Sequence, residues 1–424
     1  MAIKNFIYQF SDKIFRIVYI FLMTYIAAKV LGNIGFGEFS LLATTITIAL
    51  GVGTFGFEHT LVKKITENVE SEQQYEWLLA GISVRLAVAI FLLICGHFVI
   101  NNKTFYIIFC IVCILNVLNT YEYYLISHMR GEVIFWGRIC SYAITIIFLF
   151  FVYFSDHSRW VYFVFVLEPI IYGSWCYLNM HRGRRQAYSL ARAIFDVKKI
   201  RELFTTSFPF MLSSFAIIIY MRMDVYFIDY FLGKGAVGQY SLAVRFAEAA
   251  NFLPIVIANS VYPWLVRNQN KINYRKFFDG LFLASMVVLI PASIGGTLVI
   301  KYFFGAEYQQ SIPLFIILML QVIPVFIGIG RAKVLVLENL QRYIPFFVFS
   351  GVALNALLNL ALIPLMGTKG AAIATVISQF STTLLIPLFI PRVRDISLLM
   401  LKSIITCGFS LLHSVYQRCK NNDS

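Results

Sequence analysis

The stretch LGNIGFGEFSLL, residues 31–42, decides the fold, because it returns 201 residues later as LGKGAVGQYSLA, residues 232–243. Each copy joins the end of one long apolar run to the start of the next, so the same turn recurs in two similar surroundings. Phe39 aligns with Tyr240. A recurring turn of this kind predicts an internal repeat with two similar halves. The identical pairs are Leu31 and Leu232, Gly32 and Gly233, Gly37 and Gly238, Ser40 and Ser241, and Leu41 and Leu242.

The composition places this chain in a membrane. Of its 424 residues 59% are hydrophobic and 13% are charged, and the mean hydropathy is +0.77. Ordinary soluble domains hold about 45–50% apolar and about 25% charged residues. The apolar runs are about 20 residues long, which is the length of a membrane-spanning helix and not of a barrel strand. The opening residues MAIKNFIYQFSDKIFR contain no small-residue cleavage site, so no signal peptide is predicted.

These runs predict an all-α integral membrane protein with twelve transmembrane helices in two six-helix bundles. An even number of spans per half means that both halves enter the membrane from the same side, so the internal repeat is parallel. The predicted spans are 12–31, 37–57, 78–100, 104–127, 136–154, 160–180, 207–231, 238–262, 278–303, 311–331, 343–365 and 370–390.

The same pattern predicts four segments. Residues 1–180 form the N-terminal six-helix bundle and 206–391 the C-terminal one, with a basic cytoplasmic connector at 181–205 and a cytoplasmic tail at 392–424. Within the tail, residues 396–417 are apolar with polar residues on one helical face, which favours an amphipathic helix on the membrane surface or against the bundle. A thirteenth span is the alternative. The polar face holds Lys402, Thr406, Ser410, His413 and Gln417.

The distribution of Lys and Arg gives the orientation. With a cytoplasmic N-terminus, five of the 35 basic residues fall on outside loops, four lie within spans and the other 26 are cytoplasmic. This bias favours cytoplasmic positions for both termini. The same excess of cytoplasmic Lys and Arg accounts for most of the net charge of +14, because such residues lie near anionic membrane lipids. No nucleic-acid partner is therefore predicted.

The cysteines suggest neither a metal nor a redox site. Most of the seven fall inside apolar runs, and the single CxxC, Cys110 to Cys113, has no second Cys or His pair nearby. No metal site and no cofactor are predicted.

Ionisable residues inside the spans are the candidates for function, since each costs roughly 2.5–3.5 kcal/mol at a helix centre. Asp224 and Arg245 lie at similar depth in two successive spans, and Glu248 shares the helical face of Arg245. Arg222 lies on the opposite side of its helix from Asp224. The spacing therefore predicts one charged cluster of Asp224, Arg245 and Glu248.

The first half offers a second pair. Arg85 and Glu122 lie at similar depth near the cytoplasmic ends of the third and fourth spans, and Glu168 stands beside the helix-bending Pro169. Lys29 lies two residues from the outer end of its span and can extend to the surface. For each of these residues, a structural ion pair or a snorkelling side chain is the alternative to a functional role.

The sequence contains none of the common enzyme motifs. The outside loops are short, and GxSxG, HExxH and P-loop patterns are absent. A transporter or facilitator is the class that remains, and an enzyme is not predicted.

Two long stretches carry a resemblance to a known family. Residues 25–65, YIAAKVLGNIGFGEFSLLATTITIALGVGTFGFEHTLVKKI, resemble the first two helices of Wzx-type polysaccharide flippases of the multidrug/oligosaccharidyl-lipid/polysaccharide (MOP) exporter superfamily. The family pattern there is an Ala-Arg-x-Leu-Gly turn, and Lys29 takes the arginine position. Residues 223–254, MDVYFIDYFLGKGAVGQYSLAVRFAEAANFLP, resemble the seventh and eighth helices, with Asp224 at the acidic position.

The resemblance implies a MATE-like fold and a flippase that works by alternating access. It implies that undecaprenyl-diphosphate-linked O-antigen or capsule repeat units cross a bacterial inner membrane, with an ion gradient as candidate energy source and a polysaccharide polymerase as candidate partner. Arg245, Arg222, Arg85 and Lys29 would contact the lipid-linked oligosaccharide, and Asp224, Glu248 and Glu122 would serve ion coupling. At this position the ammonium of Lys29 is a compact charge, whereas the guanidinium of an arginine could donate two parallel hydrogen bonds to a phosphate.

Two other functions stay open on the sequence. A drug or cation antiporter of the same superfamily would share the architecture. A membrane-embedded polysaccharide polymerase or glycosyltransferase would share the pathway, although it would normally carry a large periplasmic loop with several Arg or His, which this sequence lacks.

Overall fold

The structure is a computed structural model, and it describes residues 2–68, 70–155, 157–181 and 196–408. Throughout these ranges the regular elements are helices. Eleven helical segments of the described chain are long and apolar enough to cross a bilayer. The prediction of an all-helical, multi-pass membrane protein is confirmed.

The chain divides into two compact units, Met1–Ile219 and Tyr220–Ser424. The division falls inside one helix, α8. The first unit contains α1 (Ala2–Thr54), α2 (Thr60–Glu67), α3 (Ser71–Val99), α4 (Lys103–Leu115), α5 (Thr120–Ser127), α6 (Gly131–Tyr153), α7 (Val164–His181) and the first part of α8 (Val197–Leu232). Short 3₁₀ segments, Asn116–Asn119 and Ser158–Phe163, lead into α5 and α7.

The second unit begins with the rest of α8. It continues with α9 (Lys234–Glu248), α10 (Leu253–Arg267), α11 (Lys271–Val299), α12 (Ser311–Met319), α13 (Val322–Leu337), α14 (Ile344–Met366), α15 (Thr368–Phe380) and α16 (Pro391–Ile405). Two helices of this unit end in π-helical turns, Ile300–Phe304 after α11 and Ser381–Leu385 after α15.

Each unit has its own apolar core. In the first unit, Phe57, Leu61 and Leu78 pack together from α2, α3 and the turn before α2. In the second unit, Phe278 of α11 and Ile327 of α13 pack in one cluster with residues of α16. Aromatic and branched side chains of this size pack the helices of each unit against one another through van der Waals contact.

The repeated turn has the same backbone conformation in both copies. Gly32 interrupts α1 with φ 64° and ψ 179°, and Gly233 separates α8 from α9 with φ 80° and ψ −178°. This region of conformational space is open essentially to glycine alone. Gly32 thus ends one helical segment of α1 and starts another at the point that the sequence predicted.

The C-terminal helix is shorter than the sequence predicted. α16 ends at Ile405, and the backbone N–H of Gly408 bonds to the carbonyl of Ser403 at 3.0 Å while Cys407 and Gly408 take positive φ values of 48° and 67°. This is the hydrogen-bond pattern that closes a helix before glycine. A continuous helix over 396–417 is therefore wrong, and residues 409–424 lie outside the described part of the chain, as do 182–195 of the predicted connector.

Packing of α16 follows its apolar face. Val393, Ile396 and Met400 are buried in the core of the second unit, and the Ser403 hydroxyl donates to buried Asp279 of α11. Lys402, on the predicted polar face, is exposed.

Candidate functional site

Arg222 and Glu248 form an ion pair inside the second unit. The guanidinium Nη2 of Arg222 lies 2.8 Å from the Glu248 carboxylate. The side chain of Arg222 is 24% exposed and that of Glu248 is 21% exposed. The sequence predicted that Glu248 would join Asp224 and Arg245 instead. Counted from Gly233 at about 1.5 Å per residue, Glu248 lies several ångströms deeper than Asp224, and the long Arg222 side chain is the one that reaches it.

Asp224 has a different partner from the one predicted. It is 4% exposed, it accepts the backbone N–H of Val225 at 2.9 Å, and it accepts the hydroxyl of Tyr240 on α9. The Tyr240 hydroxyl also lies 3.3 Å from the Thr375 hydroxyl on α15. The carboxylate therefore links three helices, α8, α9 and α15, and Tyr240 and Thr375 are site residues that the sequence reasoning missed.

The repeat carried a signal for Tyr240. It stands where the first copy has Phe39, and the two rings are both 0% exposed, so the second copy differs by a hydroxyl in a buried place. At the same offset Asp224 corresponds to Met23 and Arg222 to Phe21. Charged groups of the second unit thus stand where the aligned positions of the first unit hold neutral residues.

Arg245 is partly buried on α9, three residues before Glu248. Lys29 is exposed, with its ammonium 6.0 Å from the ring of Tyr25 one turn earlier. The position of Lys29, three residues before Gly32, agrees with a side chain that extends from the end of a span.

Arg85 is buried in the first unit and binds carbonyl groups. It is 3% exposed, its Nε donates to the carbonyl of Gly53 at 2.9 Å, and its Nη1 donates to the carbonyl of Asn116 at 3.1 Å. The ring of Tyr123 lies 5.4 Å from the guanidinium. A cavity of about 10 Å³ borders Arg85, Gly53 and Asn116, which is room for one water molecule.

Glu122 does not form the predicted pair with Arg85. Its carboxylate lies 2.7 Å from Nη2 of Arg138 on α6, and Nη1 of the same guanidinium lies 2.7 Å from Asp12 of α1. Arg138 and Asp12 lie within the predicted spans 136–154 and 12–31, but the sequence analysis did not count either among its candidate residues. One arginine is thus shared by carboxyl groups of α1 and α5.

Glu168 accepts the hydroxyl of Tyr19 at 3.1 Å, and the hydroxyl of Ser141 donates to its backbone carbonyl at 3.1 Å. Tyr19 in turn stacks on Tyr142 with ring centroids 4.4 Å apart. The polar contacts beside Pro169 therefore join α1, α6 and α7.

A second arginine with carbonyl partners lies in the second unit, and the sequence analysis did not include it among the charged residues within spans. Arg331 of α13 donates from Nη1 to the carbonyls of Thr382 and Thr383, at 2.5 and 3.0 Å. Its guanidinium also lies 4.4 Å from the ring of Phe347. α13 continues six residues past Arg331 to Leu337, so this cation sits within the helix.

A protein-family model with the description "Polysaccharide biosynthesis protein" matches residues 2–269, which is more than half of the chain. "Probable low-salt glycan biosynthesis flippase Agl15" of Haloferax volcanii is 29% identical over 200 residues, which cover 44% of this chain and 41% of that protein. "Probable flippase AglR" of the same organism is 27% identical over 186 residues, 41% of this chain and 38% of that protein. The chain thus aligns with about two-fifths of the length of these curated relatives.

Two solved structures share the fold over nearly the whole chain. The lipid II flippase MurJ, in an inward closed conformation, aligns with a TM-score of 0.72 at 15% identity and covers 96% of this chain and 91% of its own. An inward-facing multidrug resistance MATE family transporter of the MOP superfamily aligns with a TM-score of 0.64 at 12% identity, over 93% and 95% of the two chains. At these identities the likeness shows the fold, and the named proteins are flippases and transporters rather than enzymes.

Proposed function

This chain belongs to the polysaccharide biosynthesis protein family, and on that premise we propose that it is a Wzx-type flippase for lipid-linked oligosaccharides. The observation that carries the proposal is the family match over residues 2–269 together with a fold like that of MurJ. In the finer form of the proposal, the substrate is an undecaprenyl-diphosphate-linked O-antigen or capsule repeat unit, and the membrane is a bacterial inner membrane.

The finer architecture belongs to the same proposal. Counting the segments before and after Gly32 as separate spans turns the eleven apolar helices into twelve, six before the connector and six after it. We assign both termini to the cytoplasm from the excess of Lys and Arg on that side. Alternating access in such a fold moves the head group through the protein while the lipid chain stays in the bilayer.

The cations are proposed to meet the anionic part of the substrate. Arg222 is held by Glu248, and a diphosphate accepts two charge-assisted hydrogen bonds from a guanidinium, so it can displace that carboxylate. Arg245, which is partly exposed, and Lys29, which is exposed, are the other proposed substrate contacts. Arg85, also assigned to the substrate from the sequence, donates to two carbonyls in a site with 3% exposure, so it is the least accessible of the four.

The carboxylates are proposed to couple transport to an ion gradient. Asp224 is the foremost of these, because it is buried and its oxygen atoms bind a hydroxyl and an N–H rather than an arginine. Glu248 and Glu122 are both held by arginines, so either binds an ion after its arginine moves. One charge crossing the membrane potential supplies roughly 2.3 kcal/mol per 100 mV.

A drug or cation antiporter is the second candidate, and the likeness to the MATE transporter favours it. If cells that express the protein became drug-resistant but did not clear lipid-linked sugar, the antiporter function would be favoured over the flippase function. The polymerase or glycosyltransferase alternative loses its support, because the relatives and neighbours whose names state an activity are flippases or transporters.

The test is accumulation of lipid-linked repeat units in cells that lack the gene. Wild-type protein should clear them, Arg245→Ala and Asp224→Asn should not, and Lys271→Ala, which removes an exposed ion pair, should act as wild type. Repeat units that reach the outer leaflet without the gene would overturn the proposal. For coupling, ion flux in vesicles that is unchanged by Asp224→Asn and by Glu248→Gln would remove these carboxylates from the scheme.

A further inference from the structure

The segment after α15 leaves two backbone carbonyls without their helical donors. In the π-helical turn Ser381–Leu385, the N–H of Ile386 bonds to the carbonyl of Ser381, five residues back. That N–H is the one that the carbonyl of Thr382 would receive in an α-helix. The carbonyl of Thr383 would receive the N–H of residue 387, which is a proline and has none.

Arg331 supplies the missing donor. Its Nη1 bonds to both of these carbonyls, at 2.5 and 3.0 Å, and its guanidinium stacks on Phe347 of α14. The approach of α13 to this segment is close, since a Cβ on Gly328 would lie 3.3 Å from the Thr383 hydroxyl. An unsatisfied buried carbonyl is costly, so a π-turn followed by Pro387 needs a side-chain donor at this place.

The same helix leads to the buried acid of the second unit. Eight residues before Thr383, Thr375 lies against the Tyr240 hydroxyl that donates to Asp224. Between them, Ser378 accepts a hydrogen bond from Asn355 of α14 at 2.9 Å. A change in the helical register at 381–385 therefore shifts or rotates the stretch that carries Thr375.

We propose that Arg331 is a positioning residue, which replaces the N–H that Pro387 lacks and so fixes the register of α15 against Tyr240 and Asp224. It acts through the helix and does not touch the transported molecule. Its effect on transport rests on the proposed flippase function, whereas its relation to Pro387 does not.

The first test is a double-mutant cycle read by thermal unfolding of the purified protein in detergent. Arg331→Met keeps the aliphatic volume and removes the donors, so we expect the unfolding midpoint to fall by roughly 5 °C. Pro387→Ala restores a backbone N–H at residue 387 and should recover at least half of that loss in the double variant. Losses that simply add in the double variant would overturn the inference.

Two controls accompany the cycle. Arg331→Lys keeps a cationic donor and should lose less than Arg331→Met. Lys333→Met removes a cation two residues further along α13, where Lys333 lies 5.0 Å from the ring of Tyr262, and it should not respond to Pro387→Ala. An equal response of Lys333→Met to Pro387→Ala would show a general effect of the proline and would also overturn the inference.

The transport assay separates positioning from substrate contact. Arg331→Met should lower the maximal rate about tenfold and leave the half-saturating concentration of lipid-linked oligosaccharide unchanged, and Pro387→Ala should restore the rate. A raised half-saturating concentration at an unchanged maximal rate would instead make Arg331 a substrate contact and contradict the proposal. If the wild-type protein moves no lipid-linked oligosaccharide, the proposed function fails while the thermal cycle still decides the role of Arg331.

Discussion

Gly32 and Gly233, 201 residues apart, hold the same backbone conformation, with φ of 64° and 80° and ψ within a few degrees of 180°. Each ends one helical segment and begins the next. Gly305 and Gly367 also have positive φ values, 80° and 63°, at other helix ends of the second unit. The molecule thus places glycines with positive φ at several helix ends, and Gly32 and Gly233 are the two that align in the repeated stretch.

Gly233→Ala tests whether this conformation, rather than lack of space, requires glycine. An added Cβ at Gly233 would meet no atom within 4 Å, so the expected loss of about 1–3 kcal/mol comes from the positive φ alone. Thermal unfolding in detergent measures it. Gly295→Ala, in an equally open position inside α11, should be neutral or slightly stabilising, and equal losses for the two variants would contradict the explanation.

Tyr240→Phe tests the pairing with Asp224. It recreates the aromatic residue of the first repeat but leaves a buried carboxylate without its hydroxyl, so we expect a loss of about 1–3 kcal/mol in unfolding free energy. Adding Asp224→Met, the residue at the aligned position of the first copy, should recover stability and abolish the proposed coupling to an ion gradient. If the double variant were less stable than Tyr240→Phe, positions 224 and 240 would not tolerate the Met and Phe that stand at the aligned positions 23 and 39, and the explanation would fail.

Exchange of the charges of Arg222 and Glu248 tests their ion pair. Arg222→Glu and Glu248→Arg should each destabilise the second unit by about 1–3 kcal/mol, because each places like charges together in a partly buried site. The double exchange should recover a large part of the stability, measured by thermal unfolding. Transport should not recover, since the proposed phosphate contact at position 222 is lost, and full recovery of transport would argue against that contact.

Removal of Arg138 tests the shared guanidinium of the first unit. Arg138→Gln leaves Asp12 and Glu122 without their common cation, so we expect a loss of about 2–4 kcal/mol. Adding Glu122→Gln should restore part of it by removing one negative charge. Arg130→Gln, which removes an exposed arginine bonded to the carbonyl of Asn179, is the matched control and should change little. An equal loss for Arg130→Gln would refute the specific role.

Acidification tests the exposed pair of Lys271, at the start of α11, and Asp395 of α16, a helix outside the candidate spans. The hydrogen bond from Lys271 holds the pKa of the Asp395 carboxyl below its usual range. A lowered folded-state pKa stabilises above the unfolded pKa, and this contribution is lost as the pH falls through the folded value. Because both side chains are largely exposed, 73% and 64%, Asp395→Asn should leave the unfolding midpoint between pH 4 and 7 almost unchanged. A large pH-dependent change would mean that α16 depends on this pair.

Much of the fold could be predicted from the sequence. Apolar runs of about 20 residues follow from the requirement that every backbone group in the bilayer be hydrogen-bonded within its own helix, and a composition with 13% charge follows from the cost of charged side chains in lipid. The turn was predicted between the spans 12–31 and 37–57, and Gly32, whose conformation glycine alone adopts easily, lies in that interval. The family was recognisable from residues 25–65 and 223–254, since those motifs are continuous in the chain.

The side-chain partners were decided by the tertiary structure. Depth and helical face predicted Asp224, Arg245 and Glu248 together, yet Tyr240 bonds Asp224 and Arg222 pairs with Glu248. The depth of a residue in the membrane, counted along its own helix, is accurate to about one helical turn. A long arginine side chain spans that distance, so several ion pairings are compatible with the same sequence.

The sequence by itself thus determined what each helix needs on its own: its length, its apolar face, its glycine ends and its family. The tertiary structure alone decided how groups from different helices satisfy one another, as when Arg85 donates to the carbonyls of Gly53 and Asn116 and Arg331 donates to carbonyls that a π-helical turn leaves free. The physical reason is that a helix satisfies its backbone locally, whereas a buried charge or an orphaned carbonyl is satisfied by whichever neighbour the packing brings within hydrogen-bond distance.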